Sequence, residues 1–419
     1  DEGFALTGQR AMLSVLFGIY VLRVLWGSAE VQRGLKLMTR YKLIMYSLIV
    51  FVLARLIGNF ASGRIDIGSF AAFISETLLS AFIVALILTY ISNRQDIVKL
   101  LTVVLASLLL NQFASVYEFY TDSSIYSSSI EIQYETNRSE EAMLEGMVRE
   151  ESYRAMGFFD NSLKLASLLC MTLPFAMFLS VYGANTLTRV FAALSVAMAI
   201  PTAFFTGSRT AIGIMIIIFG WYMYRLVSRG MSRIGRRTLF TCSLPLAAIF
   251  IVTATSGIID EILFGDIYAR STDARWTQFI TVPIFIAEYP MFGRGYARNI
   301  GEVISMATLD SFYLRITLEG GVVALLALAV FLFRGSRILF PLSKTDHGDF
   351  DTSLAKALRV STGISAILMI VFSLAYVRMY VFMAVAIAVV LHSLCSKNNA
   401  TGPITDAGPT LPQSQPVKQ

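Results

Sequence analysis

The stretch LTRVFAALSVAMAIPTAFFTGSRTAIGIMIIIFGWYMYRLV, residues 187–227, decides the fold class. Two apolar runs, Leu187 to Phe205 and Ala211 to Val227, flank the short polar joint TGSRT. Each run approaches the ~20 apolar residues with which an α-helix crosses a bilayer. A joint this short makes the two helices antiparallel neighbours. At its tip sits one arginine, Arg209, with no acidic residue beside it.

The same pattern recurs along the chain. The composition is 56% hydrophobic and only 15% charged, with a mean hydropathy of +0.66. Soluble domains carry about 25% charged residues, so the deficit, spread over many separate runs, reads as a polytopic membrane protein. Eleven spans are predicted, at 11–26, 43–60, 68–91, 99–118, 162–183, 187–205, 210–228, 238–257, 311–333, 360–376 and 380–395. A helix upstream of Asp1 would make twelve. The apolar stretch 276–287 is cut by Pro283 and followed by Pro290, and reads as a loop helix near the interface. The fold expected is all-α, with a single transmembrane domain over 1–396. Two long loops interrupt it, an acidic one at 119–160 and another at 258–310. Within the first, EEAMLEGMVREESYRAM (140–156) shows helical spacing of Met143, Met147 and Tyr153. The tail 397–419, rich in Pro, Thr, Gln and Ser, reads as disordered.

Charge orients the spans. The joints 27–42, 92–99, 184–189, 229–237 and 334–359 carry 16 Lys plus Arg, five of them lysines. The alternate joints, 61–67, 119–160, 206–210, 258–310 and 377–379, are longer in total yet carry 10, all arginines. By the positive-inside rule the first set faces the cytoplasm and the second faces outward. The net charge of +6 is then a property of cytoplasmic loops, not a nucleic-acid footprint. The three cysteines, Cys170, Cys242 and Cys395, lie far apart in or beside apolar runs, and only two histidines, His347 and His392, occur. No metal-ligand spacing results, and neither metal nor cofactor is expected.

Arginine differs from lysine in offering a planar fork that grips phosphate or carboxylate by two hydrogen bonds. Arg209, Arg275, Arg294, Arg298 and Arg378 lie in outward joints, several where a helix enters the membrane. Snorkelling to the headgroups is the competing reading for any one of them. For Arg209 the neighbours Gly207, Ser208 and Thr210 are small enough for a phosphate to approach guanidinium and backbone together. Among charges inside the runs, Arg23 and Arg55 lie near span ends and read as snorkelling. Glu76, a third of the way into its span, is either a partner for a basic residue or a substrate contact.

Four stretches carry a family resemblance, in order: RAMGFFDNSLKLA (154–166), GSRTAIG (207–213), RWTQFITVPIFIAEYPMFGRGY (275–296) and LDSFYLRITLEGGVVALL (309–326). Together they resemble the conserved blocks of the Wzy-type O-antigen polymerase and O-antigen ligase family of bacterial envelopes. That resemblance implies a metal-independent glycosyltransferase of the multispanning lipid-linked (GT-C-like) kind, in the inner membrane, with its site facing the periplasm. Donor and acceptor would be oligosaccharides on undecaprenyl pyrophosphate, held within the membrane lipid, and a chain-length regulator is a candidate partner. Nucleic acid is not. In such a reaction Arg209 and Arg275 would stabilise the leaving pyrophosphate, and Asp310 would accept the proton of the attacking hydroxyl. Arg378, Arg294, Arg298, Arg154, Asn161 and Tyr313 would bind substrate, and Glu319 reads as structural, pairing or capping within its helix. The ligases carry a histidine where this chain has Asp310, and neither His347 nor His392 falls in an outward joint. The polymerase reading therefore comes first, ligase second, and a transporter of lipid-linked oligosaccharide third. The sequence shows neither the internal repeats nor the broken helices by which transporters are recognised.

Overall fold

The computed structural model describes residues 8–61, 63, 67–123, 125, 148–149, 152–159, 161–228, 267–295, 309, 311–344, 349–372 and 378–401. Its helices in chain order are α1 (Gly8–Leu25), α2 (Ala29–Arg40), α3 (Lys42–Ala61), α4 (Ile67–Phe73), a π-turn (Ile74–Leu78), α5 (Leu79–Tyr90) and α6 (Arg94–Thr121). After a minimal strand pair (Val148–Arg149 with Ser152–Tyr153) come α7 (Ser162–Tyr182), α8 (Thr186–Phe205), α9 (Arg209–Ser228), α10 (Ile267–Glu288), α11 (Phe312–Ile338), α12 (Phe340–Lys344), α13 (Phe350–Val371) and α14 (Arg378–Thr401).

Eight helices among the described residues are long and apolar enough to cross a membrane: Lys42–Ala61, Gly68–Tyr90, Arg94–Thr121, Ser162–Tyr182, Thr186–Phe205, Phe312–Ile338, Phe350–Val371 and Arg378–Ser396. Eleven were expected. The run 11–26 instead forms one arm of a pair bent by 93°, whose second arm is α2. The basic joint 27–42 is therefore a helix rather than a loop. Its buried Val31 and Gly34 fall one turn apart and dock on α5, while Lys36 and Arg40 stay exposed. In the run 210–228 the apolar part Thr210–Tyr222 is shorter than a span. Residues 238–257 lie outside the described residues.

Other boundaries move for local reasons. α13 starts ten residues earlier than predicted, because Asp349 caps it by accepting from the Thr352 amide at 3.2 Å. α6 and α14 overrun into the expected acidic loop and tail, to Thr121 and Thr401. The helical spacing expected over 140–156 does not hold at its end, where Val148 pairs across a two-residue ladder with Tyr153.

The core is a set of helices buried on most sides. In α7, 78% of the span is buried, against 33% in α8. α7 packs on α6, α8 and α13; α11 lies along α3; α14 fits among α5, α11 and α13. α8 turns Leu187, Val190, Phe191, Leu194, Ile200 and Phe204 outward, as a lipid-facing helix does. One buried polar exchange holds it to α6: Gln112 donates to the Ser195 carbonyl at 2.9 Å and accepts from the Ser195 hydroxyl at 2.6 Å.

The described joints are tied together by separate sets of contacts. Among the lysine-bearing joints Arg33 donates to the Thr89 carbonyl, Arg94 pairs with Asp351, Arg40 donates to Ser396, and the Tyr41 hydroxyl meets His392 at 2.7 Å. Among the arginine-bearing joints, the segments around 118, 155 and 205 bond to one another, and those around 294 and 319 do so separately.

Candidate functional site

Among the arginine-bearing joints, the first two family-like blocks are joined. Glu118, fully buried near the end of α6, accepts from the Met156 and Gly157 amides, both at 2.7 Å. Asn111 accepts from Phe158 at 3.0 Å. These carboxylate and amide oxygens fix the Gly157 turn, whose φ of 60° suits glycine. The chain next to the turn then lies along the joint between α8 and α9. Ala155 donates to the Phe205 carbonyl at 2.9 Å, and Arg154 donates to Thr206 O at 3.1 Å and Gly207 O at 3.5 Å. Arg154, expected to bind substrate, here satisfies carbonyls left open at the C-terminus of α8. Gly207 sits at φ 60°, and an added Cβ there would press on the Arg154 side chain at 3.0 Å. Ser208 caps α9, its hydroxyl accepting from Ala211. Arg209 is therefore the first residue of that helix, where the dipole favours anions. Asn161 caps α7 by accepting from Leu163 at 2.7 Å; its place is structural in this conformation.

The last two blocks are joined more intimately. Within α11, Gly321 adopts φ 70°, ψ −175°, and the helix is broken there. A break leaves amides and carbonyls on either side without helical partners, which is costly inside a membrane. Here the turn after α10 supplies partners for four of them. Val322 donates to Pro290 O at 2.8 Å and Val323 to Met291 O at 3.3 Å. In return Leu318 O accepts from Arg294 N at 2.7 Å, and Glu319 O accepts from Gly295 N at 3.0 Å. Backbone meets backbone this closely only because Gly293, Gly295 and Gly321 have no Cβ and positive φ. The absence of broken helices read from sequence is thereby corrected: Gly321 is the conformational reason, and its partners come from a separate segment.

Beside the break lies a chain of buried charges. Arg55 of α3 pairs with Glu319, both side chains 1% exposed. Arg315 donates to the other oxygen of Glu319 at 2.8 Å, and to Glu76 at 3.2 Å. Arg378, the first residue of α14 and 3% exposed, donates to the same Glu76 oxygen at 3.0 Å. Glu76 itself stands in the π-turn, a helical irregularity often found at functional sites. Arg55 was expected to snorkel; it does not, because Glu319 holds it in the core. Glu319 pairs as expected, and Glu76 proves to be a partner of basic residues. Arg315 was missed, although Arg315 and Glu319 stand at i, i+4 in an apolar run, a spacing that signals a pair. Nothing in the sequence links either to Arg55 or Glu76.

The remaining predicted residues are scattered. Arg294 pairs with Glu288 and lies over the rings of Phe285 and Tyr289, each at 5.5 Å. Tyr313 donates to the Ala366 carbonyl at 2.9 Å, tying α11 to α13. Arg275 is half-buried on α10, beside the exposed Trp276. Asp310 and Arg298 lie outside the described residues, as do His347 and Cys242. No group of three or more metal-ligating side chains occurs among the described residues.

Comparison with models of known protein families and with curated proteins finds no match for this chain. What the fold defines is a class: a helical, multi-pass membrane protein with a buried ionic cluster among its helices.

Proposed function

We propose that the chain is a polysaccharide polymerase of the bacterial inner membrane. It would join undecaprenyl-pyrophosphate-linked oligosaccharide units at the periplasmic face, releasing undecaprenyl pyrophosphate. The observation that carries this reading is the pairwise packing of the four family-like blocks, 154 onto 206–207 and 290–295 onto 318–323, in one bundle. The chemistry suits what is there. A leaving pyrophosphate gains negative charge in the transition state, and arginines held by rigid helices stabilise it without reorganising. Arg209 at a helix N-terminus adds two oriented amides to its guanidinium. Arg275 on α10 would assist it, Arg378, Arg294 and Arg298 would bind substrate, and Asp310 would accept the acceptor's proton.

The test is a glycan ladder. With the native gene deleted, surface polysaccharide should shrink to a single repeat on its acceptor, and the wild-type chain should restore long chains. Arg209→Ala at normal protein level should not restore them, and Arg209→Lys should be nearly as poor if the two-pronged contact matters. Long chains stranded on undecaprenyl pyrophosphate would instead make the protein a ligase. The transporter reading keeps one observation in its favour, the break in α11, since broken helices line many transport sites. Against it, the four backbone groups freed at Gly321 are taken by residues 290–295 rather than offered to a cargo. A transporter would leave single lipid-linked repeats on the cytoplasmic face.

A further inference from the structure

The ionic cluster is graded in exposure. Arg55, Glu319 and Arg378 are buried, at 1%, 1% and 3%, whereas Arg315 and Glu76 are partly exposed at 16% and 19%. At the partly exposed Glu76 a single carboxylate oxygen, Oε2, receives Nη2 of Arg315 at 3.2 Å and Nη2 of Arg378 at 3.0 Å. Two guanidiniums from different helices converging on one oxygen is the arrangement by which proteins hold a phosphoryl oxygen. The arginines sit on stable supports: Arg315 is on the first turn of α11, and Arg378 begins α14. The carboxylate does not. Glu76 rides on the π-turn Ile74–Leu78, between two α-helical pieces. A π-turn holds one residue more than an α-turn. Passing that extra residue along the helix shifts one flank by one register step, about 100° about the axis, so the turn that carries Glu76 is a point where the helix can change register.

We propose that Arg315 and Arg378 form a site for a pyrophosphate oxyanion, in which the Glu76 carboxylate is an internal stand-in that the ligand displaces. This rests on the reading of the chain as acting on a pyrophosphate-bearing lipid, and adds to it a residue pair and an exchange step. While no substrate is bound, Glu76 pairs with Arg378 and shares Arg315 with Glu319, which offsets the cost of holding these charges within the bundle. The incoming anion takes over both guanidiniums, and the π-turn relaxes as Glu76 leaves. Affinity for the anion is then set against the affinity for Glu76, as for any ligand competing with an intramolecular group.

The experiment uses the full chain in lipid nanodiscs and measures binding of inorganic pyrophosphate and of farnesyl pyrophosphate by calorimetry. Glu76→Gln removes the competing charge and should tighten both probes by about tenfold or more. Adding Arg315→Gln or Arg378→Gln to it should abolish the gain. Glu76→Asp, which keeps the charge but withdraws it by one methylene, should tighten binding by a smaller factor and guards against misfolding of the glutamine variant. Unchanged or weaker binding in both Glu76 variants, with melting as in wild type, would overturn the proposal. A gain confined to inorganic pyrophosphate would overturn a lipid-borne ligand. The glycan ladder separates the two readings: tightened binding without any effect of the chain on glycan length refutes the polymerase and leaves the site. A wild-type chain that extends glycan while Glu76→Gln leaves binding unaltered refutes the site and leaves the polymerase.

Discussion

Gly321→Ala tests the splice between α11 and the 290–295 turn. A Cβ at this position would overlap the Met291 carbonyl, which is backbone and has no rotamer to yield. The conformation itself, φ 70° and ψ −175°, is one that only glycine populates freely; alanine there costs about 1–3 kcal/mol. To relieve the clash the turn must withdraw, and at least two of the four interlocking hydrogen bonds are lost. At about 0.5–1.5 kcal/mol each this adds about 1–3 kcal/mol, more if the groups stay away from water. The total, about 2–6 kcal/mol, is a large part of the ~5–15 kcal/mol by which a folded protein is stable. Accumulation of a fluorescent fusion should drop several-fold, and the detergent-solubilised protein should melt well below wild type. Gly363→Ala is the matched control. It lies in α13 with nothing within 4 Å of the added Cβ, and alanine favours a helix interior by roughly 0.5–1 kcal/mol. If Gly321→Ala accumulates and melts like Gly363→Ala, the backbone accounting is wrong.

Further perturbations test the remaining elements. Arg55→Met leaves Glu319 buried with one cation fewer and should cost about 3–5 kcal/mol, most of it regained when Glu319→Leu is added; equal melting of the single and double variants would speak against the pair. Glu118→Ala strips the acceptor from the Met156 and Gly157 amides, at about 1–3 kcal/mol each. Hydrogen exchange at residues 155–158 should rise by at least tenfold while α7 stays protected; unchanged protection there would refute the anchoring role. Single cysteines at Lys99 and Thr121, both exposed and at opposite ends of α6, should react with an impermeant maleimide from opposite sides of the membrane. Reaction of both from one side would overturn the orientation read from the charges.

Apolar run length and charge alternation are one-dimensional properties, because a helix crosses the bilayer on its own hydrogen bonds and needs no partner segment to do so. That is why Lys42–Ala61, Arg94–Thr121, Ser162–Tyr182 and Thr186–Phe205 were legible from sequence to within a few residues. Where partners are needed, that legibility ended. Arg55 looked like a snorkelling residue because its partner, Glu319, is 264 positions away. Gly321 looked like an ordinary helix glycine because the groups that repay its break belong to residues 290–295. Asn161 and Arg154 looked like substrate contacts, yet their hydrogen-bonding groups cap helix ends, a choice settled by where the α8–α9 joint passes. Run length and composition, both local properties of the chain, set the membrane as solvent and the helical class. Tertiary structure alone decided which charges meet, because pairing energy depends on the distance between side chains brought together only by packing.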